Sequence, residues 1–163
     1  MTWIWWAPFT TAVLHIGEEF FYPGGFATWD RSYRPQFQRS ITSRFHVFIN
    51  VALLLLCAQV GLLAGSTERE AQLIGIPLWL AVAALLFSNA VFHGVGTLRT
   101  RTYSPGVVTA LALYVPLAVL GYWHFLHNGQ VTLLAAAAAA IAGGSYHFWA
   151  RLLHKARARG PIE

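Results

Sequence analysis

The chain has 163 residues, 56% of them hydrophobic and only 10% charged, with a mean hydropathy of +0.51. That composition excludes an ordinary soluble domain and points to an integral membrane protein, a single helical domain over residues 1–163. Eleven Lys and Arg against six Asp and Glu leave a formal charge of +5, but the basic residues fall between apolar runs, so they mark topology and no nucleic-acid partner is expected.

Crossing about 30 Å of hydrocarbon takes roughly 20 apolar residues at 1.5 Å rise each. Five windows meet that length, at 3–22, 45–65, 74–98, 106–126 and 131–153. The expected fold is therefore all-α, a bundle of five transmembrane helices. The first window lacks a basic start, opens on Trp3, Trp5 and Trp6, and carries Glu18 and Glu19 near its end. It reads as a retained span and not as a signal peptide. Cys57, the single cysteine, lies inside the second window, which excludes a disulfide scaffold and a CxxC redox motif. Pro77 falls in the first turns of the third window, where a missing N–H costs least, and Pro116 is expected to kink the fourth. In the fifth, the alanine run 135–140 and Gly143-Gly144 allow close backbone approach, serving either packing within the chain or a homo-oligomer contact.

The charge pattern orients the spans. Arg31, Arg34, Arg39 and Arg44 follow the first window, Arg99 and Arg101 the third, and Arg151, Lys155, Arg157 and Arg159 the fifth, leaving only Arg69 elsewhere. The positive-inside rule then sets the N-terminus outside and the C-terminus in the cytoplasm.

Ionisable side chains at membrane depth cost on the order of 2.5 to 3.5 kcal/mol each on insertion scales, so they mark function by default. Here they gather. His15, Glu18 and Glu19 follow H-x-x-E-E, His46 and Asn50 lie one turn apart, and so do Asn89 and His93; His147 comes late in the fifth window. With alternating span directions, all of these fall in the cytoplasmic half of the bilayer, while His124 and His127 fall at the opposite face. His154, past the last span among basic residues, reads as interfacial.

Four imidazoles and two carboxylates make a donor set for Zn²⁺, Fe²⁺ or Mn²⁺, as one ion or two. The expected metal ligands are His15, Glu18, Glu19, His46, His93 and His147. One of Glu18 and Glu19 is expected as ligand and the other as general base, with Asn50 and Asn89 orienting a reacting oxygen. Arg99, Arg101 and Tyr103 sit directly after His93, where they can meet a charged headgroup. Trp29, Tyr33, Arg31 and Arg34 in the first connection form either a lid or an interfacial segment.

At His15-Ile16-Gly17-Glu18-Glu19-Phe20 the chain resembles the HXXEE-domain family of small bacterial membrane proteins. Phe92-His93-Gly94 through Arg99, Tyr103, Ser104, Pro105 and Gly106, and the ending His147-Phe148-Trp149, resemble it too, so the likeness runs over almost the whole chain. It implies a helical protein of the bacterial inner membrane in which His15, Glu18 and Glu19 matter, and it supplies no reaction. The residues themselves lead to an intramembrane metal-dependent enzyme acting on a lipid-like or apolar small substrate, with metal-activated hydrolysis first. Its rivals are a non-haem iron hydroxylase or desaturase, a metal-free acid-catalysed cyclase or isomerase, and an ion or metal transporter.

Overall fold

A computed structural model describes residues 3–22 and 24–158, and among them every regular element is helical. In chain order these are α1 (Trp3–Phe21), α2 (Gly25–Tyr33), a single 3₁₀ turn (Pro35–Phe37), α3 (Ser43–Ala64) and α4 (Arg69–Thr100). Next come α5 (Val107–Thr109), a π-helical turn (Ala110–Tyr114), α6 (Val115–His127), α7 (Leu133–Gly144) and α8 (Tyr146–Arg157). Of the basic residues used to orient the spans, Arg159 lies outside the described residues.

Among the described residues four stretches are long and apolar enough to cross a bilayer: α3, α4, Val107–His127 as one unit and Leu133–Arg157 as another. The protein is thus an all-helical integral membrane protein with four such helices. Helix α1, expected as a fifth span, has 19 residues and a length of about 28 Å, but His15, Glu18 and Glu19 lower its hydropathy. It is nonetheless part of the bundle. Its buried face is Ile4, Pro8, Ala12, His15 and Glu19, and the Ile4 carbonyl accepts from the Trp79 indole N–H of α4 at 3.2 Å.

Local chemistry sets the helix ends. Thr42 caps α3 by accepting from the Phe45 N–H, and Thr132 caps α7 by accepting from the Ala135 N–H. Helix α4 starts at Arg69, earlier than the apolar run suggested, so Pro77 lies inside the helix and not in its first turns. Pro116 falls in the first turn of α6, and the backbone accommodates its missing N–H by widening into the π turn just before it. The fifth window is broken at Ser145, which ends α7 and starts α8.

The core runs along α4. Trp79, Leu80 and Ala83 pack with Phe125 of α6 and with Ala136 and Ala139 of α7. A Cβ on Gly143 would meet the Ala81 carbonyl oxygen at 1.8 Å, so the backbones of α7 and α4 touch there. The small-residue face of the fifth window is therefore used within the chain, holding α7 against α4 where apolar burial gives little drive in lipid.

Candidate metal centre

Helix α1 places His15 and Glu19 one turn apart on its buried face, 1% and 3% exposed. Helix α3 brings His46 and Asn50, and α4 brings Asn89 and fully buried His93. Glu19 sits at the middle. Its Oε1 lies 3.4 Å from His15 Nε2 and 3.4 Å from His93 Nε2. Its Oε2 lies 3.0 Å from His46 Nε2 and accepts from the Asn50 amide at 3.2 Å. The Asn89 amide donates to His15 Nε2 at 3.1 Å. One ligand atom each from His15, Glu19 and His93 falls within 4.8 Å of the others, a spacing that can hold a metal ion.

The far nitrogens fix the two imidazoles. His15 Nδ1 is 3.1 Å from the Thr109 hydroxyl, and His93 Nδ1 is 2.8 Å from the Ser104 hydroxyl. Thr109 Oγ1 donates its hydrogen to Glu18 at 2.5 Å, so it accepts the His15 Nδ1–H, and the His15 Nε2 lone pair accepts from Asn89 beside Glu19. Buried His93 Nε2 has no hydrogen-bond partner among the described residues. Glu19 Oε1 and the Nε2 atoms of His15 and His93 thus converge from two helices, each imidazole held from behind by a hydroxyl.

Glu18, expected as ligand or base, points away from the three-residue group. Its carboxylate accepts from the backbone N–H groups of Gly106 (3.0 Å), Val108 (3.2 Å) and Thr109 (2.7 Å), from the Thr109 hydroxyl, and from the Tyr103 phenol. It caps the N-terminus of the α5–α6 unit, a placement that suits an anion and leaves no lone pair for a metal. Burial and the Glu18 carboxylate both push the Tyr103 phenol upward, so it remains the donor in that bond. Tyr103 thus donates to the group that caps this unit.

Gly106 packs directly on the cluster. At φ +98° it takes a left-handed conformation, and a Cβ there would meet His15 Cε1 at 2.6 Å and Glu19 Cγ and His93 Cε1 at 3.0 Å. Helix α2 covers the opposite side as a lid. Phe26 stacks on His46 with ring centroids 4.8 Å apart, and the Trp29 ring lies parallel to His93 at 6.3 Å. The π turn adds Tyr114, whose ring centroid is 4.7 Å from that of His15 and whose buried hydroxyl has no partner among the described residues. The sequence reading missed Thr109, Gly106 and Tyr114 as parts of this site. Pro116 was a signal for the π turn, but nothing in the sequence distinguished Thr109 from an ordinary helix-start threonine.

A cavity of about 460 Å³ opens beside the cluster, and Glu19, His46, Asn50, Asn89 and His147 line it together with apolar side chains of α3 and α8. His147 stacks on Phe92 at 4.7 Å and stays outside the three-residue group, so it faces the cavity and is not one of the converging ligands. Arg99 and Arg101 are exposed and are not among the residues that line the cavity; Arg101 closes α4 in a left-handed conformation. His154 is buried within the protein, with Nδ1 2.6 Å from the Ser40 hydroxyl. His124 contacts Asn128, and His127 stacks on Trp123, both away from the cluster.

Neither a curated protein nor a solved structure matches the chain. One family model, described as a protein of unknown function with HXXEE motif, matches residues 5–121, most of the chain. That stretch holds both the H-x-x-E-E motif and the turn from Ser104 to Thr109 that locks it in place, and the chain belongs to this HXXEE family.

Proposed function

We propose that the protein is an intramembrane metal-dependent enzyme in which His15, Glu19 and His93 hold one divalent ion, Zn²⁺, Fe²⁺ or Mn²⁺, and that its substrate is lipid-like or a small apolar molecule. The observation that carries this reading is the convergence of two imidazole Nε2 atoms on one carboxylate oxygen, with both Nδ1 atoms held by hydroxyls. Two neutral imidazoles and one carboxylate match the His₂Glu set of hydrolytic zinc sites, which keep a further position open. A divalent ion also offsets the charge of Glu19, which is otherwise costly at membrane depth.

When bound, the metal supplies Lewis acidity and a water acidified towards pH 7, the chemistry of hydrolysis. The chain supplies the rest. His46, beside the second oxygen of Glu19 and facing the cavity, is placed to exchange a proton, the task first assigned to a glutamate. Asn50 and Asn89 present amides at the cavity wall to orient a reacting oxygen. Phe26 and Trp29 shut water out from the α2 side. The same donor set suits an iron oxidoreductase, and the element bound decides between the two chemistries.

In this reading α1 is the fifth span, the N-terminus faces outward and the basic connections lie in the cytoplasm of a bacterial inner membrane. The test is metal content by plasma mass spectrometry on tag-free protein in mild detergent, beside a His15→Ala/Glu19→Gln double variant. Near-stoichiometric Zn, Fe or Mn, lost in the variant, is the expected result. Absence of metal from the parent protein after reconstitution with each ion overturns the proposal.

A further inference from the structure

The cavity is ordered along α3. Thr42, Phe45, Ile49, Leu53 and Leu56 line it at three- and four-residue intervals, with His46 and Asn50 on the same stripe. One helix face therefore walls the cavity from Thr42 to Leu56, about 21 Å at 1.5 Å per residue. Its chemistry changes along that length. At the Thr42 end lie Asp30, Arg34 and His154, and at the other end Leu53, Leu56 and Leu85. His46 and Asn50, level with Glu19, stand between them.

The mouth carries excess positive charge. Arg34 forms a two-pronged pair with Asp30, and its guanidinium also lies 4.8 Å from the Phe92 ring centroid. Arg157 stands 4.2 Å above the ring of Phe45, at the same end. Among the described residues Asp30 is the only carboxylate lining the Thr42 end of the cavity, and Arg34 takes it up, while Glu19 stands further in at the level of His46; Arg157 over Phe45 therefore leaves the mouth with one positive charge in excess, which favours an anion. The deep end opens sideways. Leu56 lines the cavity there yet is 41% exposed, and towards the mouth Trp149 and Leu153 of α8 line it while 62% and 45% exposed, so a chain can enter from the lipid without passing through water.

We infer that the cavity binds a single-chain amphiphile with an anionic head, its carboxylate or phosphate at Arg34 and Arg157 and its chain along α3 towards Leu53 and Leu56. This rests on taking the His15, Glu19 and His93 cluster as the reacting centre. Thr42 to His46 is about 6 Å along the helix, so the centre meets the substrate where head joins chain. Anionic head chemistry is shared by fatty acids and lysophospholipids, and the cavity selects for charge and a single chain in either.

The test is photolabelling in detergent with a medium-chain fatty acid bearing a diazirine at its methyl end, on metal-loaded and chelator-treated protein alike. Label is expected on the α3 and α4 peptides that contain Leu53, Leu56 and Leu85. Unlabelled fatty acid competes if free acids are the source, lysophosphatidate if phospholipids are, and the matching alkylamine competes in neither case. Leu56→Trp, at an exposed position, blocks the deep end and lowers labelling roughly tenfold, while Arg157→Gln narrows the preference for acid over amine. Equal competition by the alkylamine, or label spread evenly onto lipid-facing Leu133 and Leu134, overturns the inference. Because labelling is read without metal as well, a labelled cavity in a protein that binds no ion refutes the metal centre alone. A metal-bound protein with an unlabelled cavity refutes this inference alone.

Discussion

Replacing Gly106 by alanine puts the packing of the centre to a direct test. The added Cβ lies 2.6 Å from His15 Cε1, about 1 Å inside the ordinary carbon contact of roughly 3.5 Å. It also meets Glu19 Cγ and His93 Cε1 at 3.0 Å, so one methyl presses on all three converging residues. None of these neighbours is the free end of a flexible chain, because Thr109 and Ser104 hold the two rings from behind. A non-glycine residue at this positive φ costs about 1–2 kcal/mol, and forced overpacking adds roughly 1–3 kcal/mol, giving an expected loss of about 2–5 kcal/mol. Gly129 supplies the control: it too has positive φ, +62°, but nothing stands within 4 Å of its Cβ position, so Gly129→Ala carries the backbone cost alone. Both variants are to be unfolded in mixed micelles by denaturant and assayed for retained metal. Gly106→Ala should lose more stability than Gly129→Ala and bind metal at least about tenfold more weakly, as displaced support of a ligand does elsewhere. Equal destabilisation with unchanged metal affinity would refute the argument.

Three further outcomes follow from the same geometry. Thr109→Val removes the acceptor of the His15 Nδ1–H and should weaken metal binding about 10- to 100-fold in a chelator competition, whereas Thr109→Ser restores it. Glu18→Gln should lower unfolding stability by about 1.5–3 kcal/mol through weakened charged hydrogen bonds yet keep its ion, while Glu19→Gln should lose the ion; loss of metal from both variants alike contradicts the division of roles. Gly143→Ala drives a methyl into the Ala81 carbonyl and should separate α7 from α4, seen as a lowered unfolding midpoint, with metal stoichiometry intact in the fraction that stays folded.

Much of this arrangement was legible from spacing alone. Apolar windows located α3, α4 and the two later helical units, and alternating span directions put His15, Glu19, His46, Asn50, Asn89 and His93 at one depth, where the structure gathers them. Depth, however, does not resolve azimuth. Glu18 and Glu19 are adjacent in sequence and so point about 100° apart on α1, and only the position of α5 decides which of them faces the imidazoles. His147 has the right depth and the wrong neighbour, Phe92 lying against its ring. Thr109 and Ser104 act through hydroxyls on side chains of other helices, a relation with no period in the sequence. Helix α2 escaped the hydropathy reading because Asp30, Arg31 and Arg34 mask its aromatic face.

The cap on Glu18 also bears on how the chain is made. Its donors lie 85 to 91 residues further along, on the turn that starts the α5–α6 unit. At ordinary synthesis rates of about 5–20 residues per second, roughly 5 to 20 seconds pass between the emergence of Glu18 and that of Thr109. Through that interval α1 carries two carboxylates with nothing from α5 to neutralise them, so its polar end stays near water or the insertion machinery. The emergence of Val107–His127 then supplies the cap on Glu18, and only after it come α7, which packs on α4, and α8, which walls the cavity beside the cluster.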